Sequence, residues 1–386
     1  MKTKGNSGVM DMTQGNMAML ILSFALPLML GNVFQQFYTV ADTAIVGKIL
    51  GVDALAALGT VESINWLVLG TIQGITQGFG ILVSQQFGAK KEEALQETIF
   101  HASFLAVVAA ILFTVGILIG LSGLVGILQV PVDIRPICLD YLYVLFGGIP
   151  LMMLYNFTAA MLRAFGDSKT PLTACVIAAL FNIALDLYFI LELGWGVKGA
   201  ALATVLSQAI STIWVVVFLS GKKTQLHLLK KYMDLKPKVF LPCVALGLAT
   251  FIMQASESVV TVCFNSSLLH YGGDIAVGAM TILTSVMQFA MLPLQGIAQG
   301  SQPIASYNYG AKNADRVKKT FRLLVITCLT YSTLLWAAVQ IIPKVFVSIF
   351  TSDAKLVAFT APMLKIYLGG LFLFGIQIAC QITFTS

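Results

Sequence analysis

The segment Gln73-Gly74-Ile75-Thr76-Gln77-Gly78 runs on to Ser84 and Gly88-Ala89-Lys90. The chain repeats it without a gap 222 positions later, as Gln295-Gly296-Ile297-Ala298-Gln299-Gly300, Ser306 and Gly310-Ala311-Lys312. Gly51, Ala54 and Ala57 match Gly273, Ala276 and Ala279 at the same offset. The repeat stands in a chain that is 58% hydrophobic and 10% charged. A soluble domain carries about a quarter charged residues, so the solvent of this chain is lipid. Two homologous membrane bundles fused in one polypeptide commonly enclose a site between the halves and move one against the other. The expectation is a transporter.

Apolar runs recur near the ~20 residues that a helix needs to cross the hydrocarbon core, and no stretch alternates as a barrel strand would. A lipid-facing backbone must satisfy its own hydrogen bonds. The expected class is therefore all-α: a polytopic membrane protein of two homologous helical lobes, related by a pseudo-two-fold axis along the membrane normal. Ten spans are expected, at roughly 18–46, 54–84, 97–122, 136–162, 171–192, 197–220, 238–269, 274–305, 320–343 and 357–384. Six fall in the first lobe, 1–220, and four in the second, 239–386. The polar stretch 221–238 joins them, either as a solvated linker or as a basic helix on the inner leaflet. By the logic of the repeat, two helices are expected to be missing after Ser386.

With the N-terminus placed in the cytoplasm, the inner segments hold 17 of the 23 Lys and Arg residues. Lys90, Lys91, Arg163, Lys169, Lys312, Arg316, Lys318, Lys319 and Arg322 are among them. This asymmetry sets the orientation and places a multi-pass protein in the cell membrane. The net charge of +6 is then a topology signal and not a nucleic-acid footprint. The six cysteines are scattered with no CxxC and read as small apolar fillers. Residues 1–17 lack a signal-peptide pattern with a cleavage site.

A charge deep in a bilayer costs at least about 2.5–3.5 kcal/mol. Asp42, Glu62, Asp186 and Glu257 all fall inside spans, and the rise per residue puts each in the outer half of the membrane. Each has polar companions on its own helical face. Gln35 and Tyr38 accompany Asp42, Asn182 accompanies Asp186, Asn65 accompanies Glu62, and Gln254, Thr261 and Asn265 accompany Glu257. Such stripes must face protein or water. The reading is a wet, acidic, outward-opening cavity that binds a cation and protons, with Asp42, Asp186, Asn182 and Glu257 coupling the ion and Gln35, Tyr38 and Glu62 near the cargo. Alternatives stay open: Asp42 at the outer helix end facing headgroups, and Glu257 serving a structural hydrogen bond within its lobe. Asp140, in the first turn after Pro136, reads as structural.

Pro27, Pro150, Pro242, Pro293 and Pro303 stand inside spans and permit bends. Gly74/Gly78 and Gly296/Gly300 have the spacing of close helix packing. There is no GxxxxGK[ST] loop, HExxH or Cys/His cluster in the sequence, so ATP is not the expected fuel and no metal or cofactor is expected.

The loop Leu162-Arg163-Ala164-Phe165-Gly166-Asp167-Ser168-Lys169-Thr170-Pro171 closely resembles a hallmark of the MATE family, the multidrug and toxic compound extrusion transporters. So do Pro27, Gln35, Asp42 and Val46-Gly47 of the first span, the repeated glycine segments, and Gly194–Ala203. The resemblance implies two lobes of six helices and export of lipophilic cationic drugs by a monomer, in exchange for entering protons or sodium, with no enzyme activity. It also implies, as in the DinF-like branch, coupling through residues that match Asp42, Asn182, Asp186 and Thr204, with Asn156 a further match. Glu257 resembles the second-lobe acid of the NorM-like branch, whose partner acid has no counterpart near Tyr367. The alternatives are a flippase for lipid-linked sugars, which would want a cationic cavity, and an intramembrane enzyme, which would need a catalytic pair at one depth.

Overall fold

A computed structural model describes residues 12–127, 130–220, 237–351 and 353–386, and between 237 and 277 it describes the backbone but few side chains. Every element among the described residues is helical: α1 (Met17–Leu50), α2 (Val52–Gly88), α3 (Glu92–Ile127), α4 (Arg135–Gly147), α5 (Ile149–Ala164), α6 (Lys169–Leu187), α7 (Gly196–Ser220), α8 (Pro237–Gly310), α9 (Ala314–Ile341), α10 (Pro343–Ser348), α11 (Ala354–Tyr367) and α12 (Leu371–Thr385). A π-helical turn, Tyr188–Glu192, extends α6. Among the described residues seven helices are long and apolar enough to cross a membrane, or nine if each of two bent pairs is one span. These nine fall on nine of the expected spans. The remaining one, 238–269, falls where few side chains are described, and the linker expected at 221–238 lies outside the described residues but for its last two.

The bends have local causes. The expected span 136–162 is α4 and α5 meeting at 46°. Pro150 stands in the first turn of α5, where it cannot donate to the preceding turn. A Cβ on Gly148 would lie 2.5 Å from Val205 Cγ2, so α7 packs close against the bend. Likewise α11 and α12 meet at 44° across Gly369-Gly370.

Repeat logic places a turn at Gly273, the counterpart of Gly51, which sits at φ +89° between α1 and α2. The structure instead runs α8 through Gly273 as one helix of 74 residues. No proline stands between Pro242 and Pro293 to interrupt the hydrogen-bond ladder.

The chain forms two units that do not follow chain order. Of the described residues, the first comprises those within Leu30–Ala255 and the second those within Met12–Met29 and Ser256–Ser386. In the first unit α2, α3, α4 and α5 pack around Ile72, Ile99, Leu142, Phe146 and Met153. Edge-on ring pairs Phe79–Phe157 and Phe87–Phe165 tie α2 to α5. The far side of α3 is apolar and bare, with Ile119 80% exposed, as a lipid-facing surface requires.

In the second unit Leu283, Val286, Leu364 and Leu368 form one core. The start of α1 belongs here. Asn308 donates to the Met12 carbonyl at 3.1 Å, and Arg316 reaches the carbonyls of Gly15 and Gln14 at 3.2 and 3.1 Å. A Cβ on Gly300 would lie 2.6 Å from the Ala25 backbone nitrogen. The glycine pair Gly296/Gly300 therefore serves helix contact, as its spacing implies.

The two repeat copies end alike. The Ala89 and Ala311 amides bond back to Gln85 and Tyr307 at 2.9 Å, and the next residues, Lys90 and Lys312, both sit at φ +56°. A non-glycine residue in the left-handed region costs about 1–2 kcal/mol. Lys312→Gly should therefore raise stability by about 1 kcal/mol, read as a higher midpoint of thermal unfolding in detergent. A lowered midpoint would show that the exposed lysine side chain contributes more than its backbone costs.

Candidate functional site

The site is assembled by two parallel helices of the first unit. Cys175 on α6 donates its thiol to the Gly31 carbonyl on α1, with sulfur and oxygen 3.5 Å apart. Eleven residues beyond Gly31 is Asp42, and eleven residues beyond Cys175 is Asp186. Eleven residues are three turns plus about 20°, a rise of about 16 Å. The one contact thus sets the register of both helices and brings the two aspartates to a common level and face. The structure meets this expectation: the two carboxyls lie within hydrogen-bonding reach of each other.

Both are buried, Asp42 at 8% and Asp186 at 0% exposure. As carboxylates neither can donate. Oδ1 of Asp42 and both oxygens of Asp186 accordingly have no hydrogen-bond donor among the described residues. A buried polar atom without a partner costs roughly 1–3 kcal/mol, more when charged, so this pair asks for a proton or a cation.

The surroundings are acceptor-rich. Asn182, one turn before Asp186, donates to the Thr204 hydroxyl of α7 at 3.3 Å, and Thr204 donates to the Ala200 carbonyl at 3.2 Å. That leaves the Asn182 amide oxygen buried and unpartnered. Tyr38 lies near Asp42, with the side chains of Gln35 and Gln208 as neighbours. Tyr141 of α4 stands near Asp42, Glu62, Asp186 and Tyr38 alike. Glu62 is close enough to Asp42 for their charges to interact, and Trp66 is its side-chain partner.

Of the residues singled out in the sequence, the structure thus gathers Asp42, Asp186, Asn182, Thr204, Gln35, Tyr38 and Glu62. Asn156 turns its amide to the Met152 carbonyl of its own helix, at 2.8 Å. Glu257 and its stripe Gln254, Thr261 and Asn265 lie among side chains outside the described residues. Asp140 is the sixth residue of α4, beyond the first turn expected for it, and pairs instead with Lys198 at 3.2 Å, both half-exposed. Asp167 accepts from the Lys169 and Thr170 amides, each at 3.0 Å, and caps α6.

Sequence reasoning passed over Tyr141 and Gln208. Gln208 had a signal, since it continues from Thr204 a polar stripe at helical spacing that runs on to Ser211 and Thr212. It also passed over the π turn two residues beyond Asp186. Such turns are rare and frequent at functional sites; here Leu193 and Trp195 donate to the Tyr188 and Phe189 carbonyls at 3.2 and 3.0 Å.

The MatE family model matches residues 27–188 and 249–386. The chain is 27% identical over 360 residues to the probable multidrug resistance protein YoeA of Bacillus subtilis, covering 91% of this chain and 77% of that protein. It is 23% identical over 358 residues to the multidrug export protein MepA of Staphylococcus haemolyticus, covering 92% and 78%. Among solved structures, an outward-facing multidrug resistance MATE transporter of the MOP superfamily superposes with a TM-score of 0.89 at 21% identity, over 97% of this chain and 83% of that one, which is a likeness of fold. The family match covers most of the chain and takes in both copies of the internal repeat, and the chain belongs to the MATE family, transporters and not enzymes.

Proposed function

We propose that this protein exports lipophilic organic cations across the cell membrane in exchange for protons, with Asp42 and Asp186 as the coupling pair. The observation that carries the reading is the facing of two buried carboxyls with no donor between them. One proton placed there turns a repulsive pair into a hydrogen-bonded one. A drug cation satisfies the same pair when both groups are ionised, so the two ligands compete. Protonation from outside expels the drug, and deprotonation toward the cytoplasm resets the site. Relatives named for multidrug resistance and export support the cargo class, and Trp66 beside Glu62 offers the flat aromatic face and negative charge that suit such a cation. The first-lobe pairing supports the DinF-like branch, and the Lys and Arg asymmetry of the sequence supports a cytoplasmic N-terminus. Each pH unit then supplies about 1.4 kcal/mol per proton, and each net charge moved adds about 2.3 kcal/mol per 100 mV.

A second reading rests on the Asn182 amide oxygen, which joins the aspartate oxygens as an unpartnered acceptor. An all-oxygen set of this kind also suits sodium. Ethidium binding in weakly buffered detergent solution separates the two. Proton coupling predicts that binding releases protons and tightens as pH rises, with sodium having no effect. No proton release, together with displacement of ethidium by sodium at constant pH, would hand the site to sodium.

A further inference from the structure

The first unit holds a cavity of about 370 Å³ that the site above does not use, lined by Val144, Trp195, Lys198 and Leu202. It lies where α4 packs against α7. Lys198 pairs with Asp140 at 3.2 Å, and both side chains are half-exposed. Val144 stands one turn after Asp140 on α4, and Leu202 one turn after Lys198 on α7. One turn is a rise of about 6 Å, so a charged rim stands one step above an apolar floor. Trp195 precedes α7 between Gly194 and Gly196, at φ +63° and +58°. Its ring stacks on Phe189 with centroids 5.2 Å apart and planes at 17°, which fixes it beside the cavity. Trp195, Tyr143 and Tyr188 are all exposed, and such rings gather at the boundary between membrane and water.

We propose that this cavity holds one zwitterionic phospholipid with an ethanolamine headgroup, its phosphate on Lys198, its ammonium on Asp140, and the upper part of an acyl chain on Val144 and Leu202 beside Trp195. The charge pattern selects the head. A lone lysine would favour an anionic lipid, whereas a rim of one cation and one anion complements a headgroup that carries both. The pair has capacity to spare, because an ammonium has three donors and a carboxylate about four acceptor sites. An exposed ion pair also contributes little by itself, so sharing it with a ligand costs little. Ethanolamine is preferred to choline because its primary ammonium donates hydrogen bonds to the carboxylate and a quaternary one cannot. The apolar floor selects a lipid over a free phosphate, which would leave Val144 and Leu202 uncovered. The inference needs the membrane-spanning reading but not the coupling role of Asp42 and Asp186.

The test titrates the delipidated full chain in detergent with phospholipids whose acyl chains are brominated near the ester, and reads quenching of tryptophan fluorescence. The part of the signal lost in Trp195→Phe reports this cavity. Brominated phosphatidylethanolamine should bind about tenfold more tightly than brominated phosphatidylglycerol, the value of about one hydrogen bond between charged groups. Lys198→Gln should weaken phosphatidylethanolamine by a similar factor. Asp140→Asn should reverse the preference toward phosphatidylglycerol, since it leaves a lysine alone at the rim. Equal binding of the two lipids by wild type overturns the proposal, as does an unreversed preference in a folded Asp140→Asn protein. Should that variant fail to fold, wild type against brominated diacylglycerol decides: quenching as strong without a headgroup overturns the charged rim, and quenching about tenfold weaker supports it. Neither cargo nor a pH gradient is present, so failure here leaves the export reading untouched.

Discussion

Vesicles carrying the double variant Asp42→Asn, Asp186→Asn should lose the ability to concentrate ethidium against a pH gradient. One proton exchanged for one monovalent cation sustains about a tenfold concentration ratio per pH unit, and two protons about a hundredfold. The double variant should settle at a ratio of about one, because an amide pair has no proton to cycle. Folding is not expected to suffer, since asparagine brings its own donor to the partner that lacked one and keeps the volume. The single variants discriminate further. Asp42→Asn leaves Asp186 with an amide donor in place of the shared proton, so uphill export should fall sharply while ethidium still equilibrates downhill. Accumulation at the wild-type level in the double variant, measured at the same pH gradient, would remove both aspartates from the coupling step.

The second large effect concerns packing. Gly300→Val should destabilise the second unit by at least 1–3 kcal/mol, the usual cost of forcing extra atoms into a packed core, and cut the yield of monodisperse protein. The reason is geometric. The added Cβ would meet the backbone nitrogen and Cα of Ala25 at 2.6 and 2.7 Å, and backbone cannot swing aside as a side-chain tip can. Gly120→Val on α3 is the control, because a Cβ there meets nothing within 4 Å. Equal loss of folded protein in both variants would mean that glycine is needed for helix flexibility and not for contact.

That comparison also shows what the sequence could and could not reveal. Gly116/Gly120 and Gly296/Gly300 have the same small-xxx-small spacing. Only the second pair is pressed against another helix, because spacing fixes a face and not what lies opposite it. The expense of burying charge in lipid was enough to pick out Asp42 and Asp186 separately. Their meeting depends on the register of α1 against α6, set by the thiol of Cys175 on the Gly31 carbonyl, and a cysteine in an apolar run carries no mark of that role. The local signal of Pro150 read well as a bend, whereas Asp140, expected in a first turn, stands beyond it and pairs with Lys198 instead. The repeat placed Lys90 and Lys312 at equivalent positions, which share one backbone conformation, yet it also implied a turn at Gly273, through which α8 runs on. Glycine permits a turn without compelling one. Tyr141 escaped notice because a tyrosine in an apolar helix reads as filler until its neighbours are known.

The base of α1 has one more consequence. Residues 12–29 belong with 256–386, held by Asn308, Arg316 and the notch at Gly300. Severing the chain between 220 and 237 would therefore not yield two self-sufficient pieces. The downstream fragment would lack a strip of its own wall, and only the upstream fragment carries that strip, so the severed halves are obligate complements.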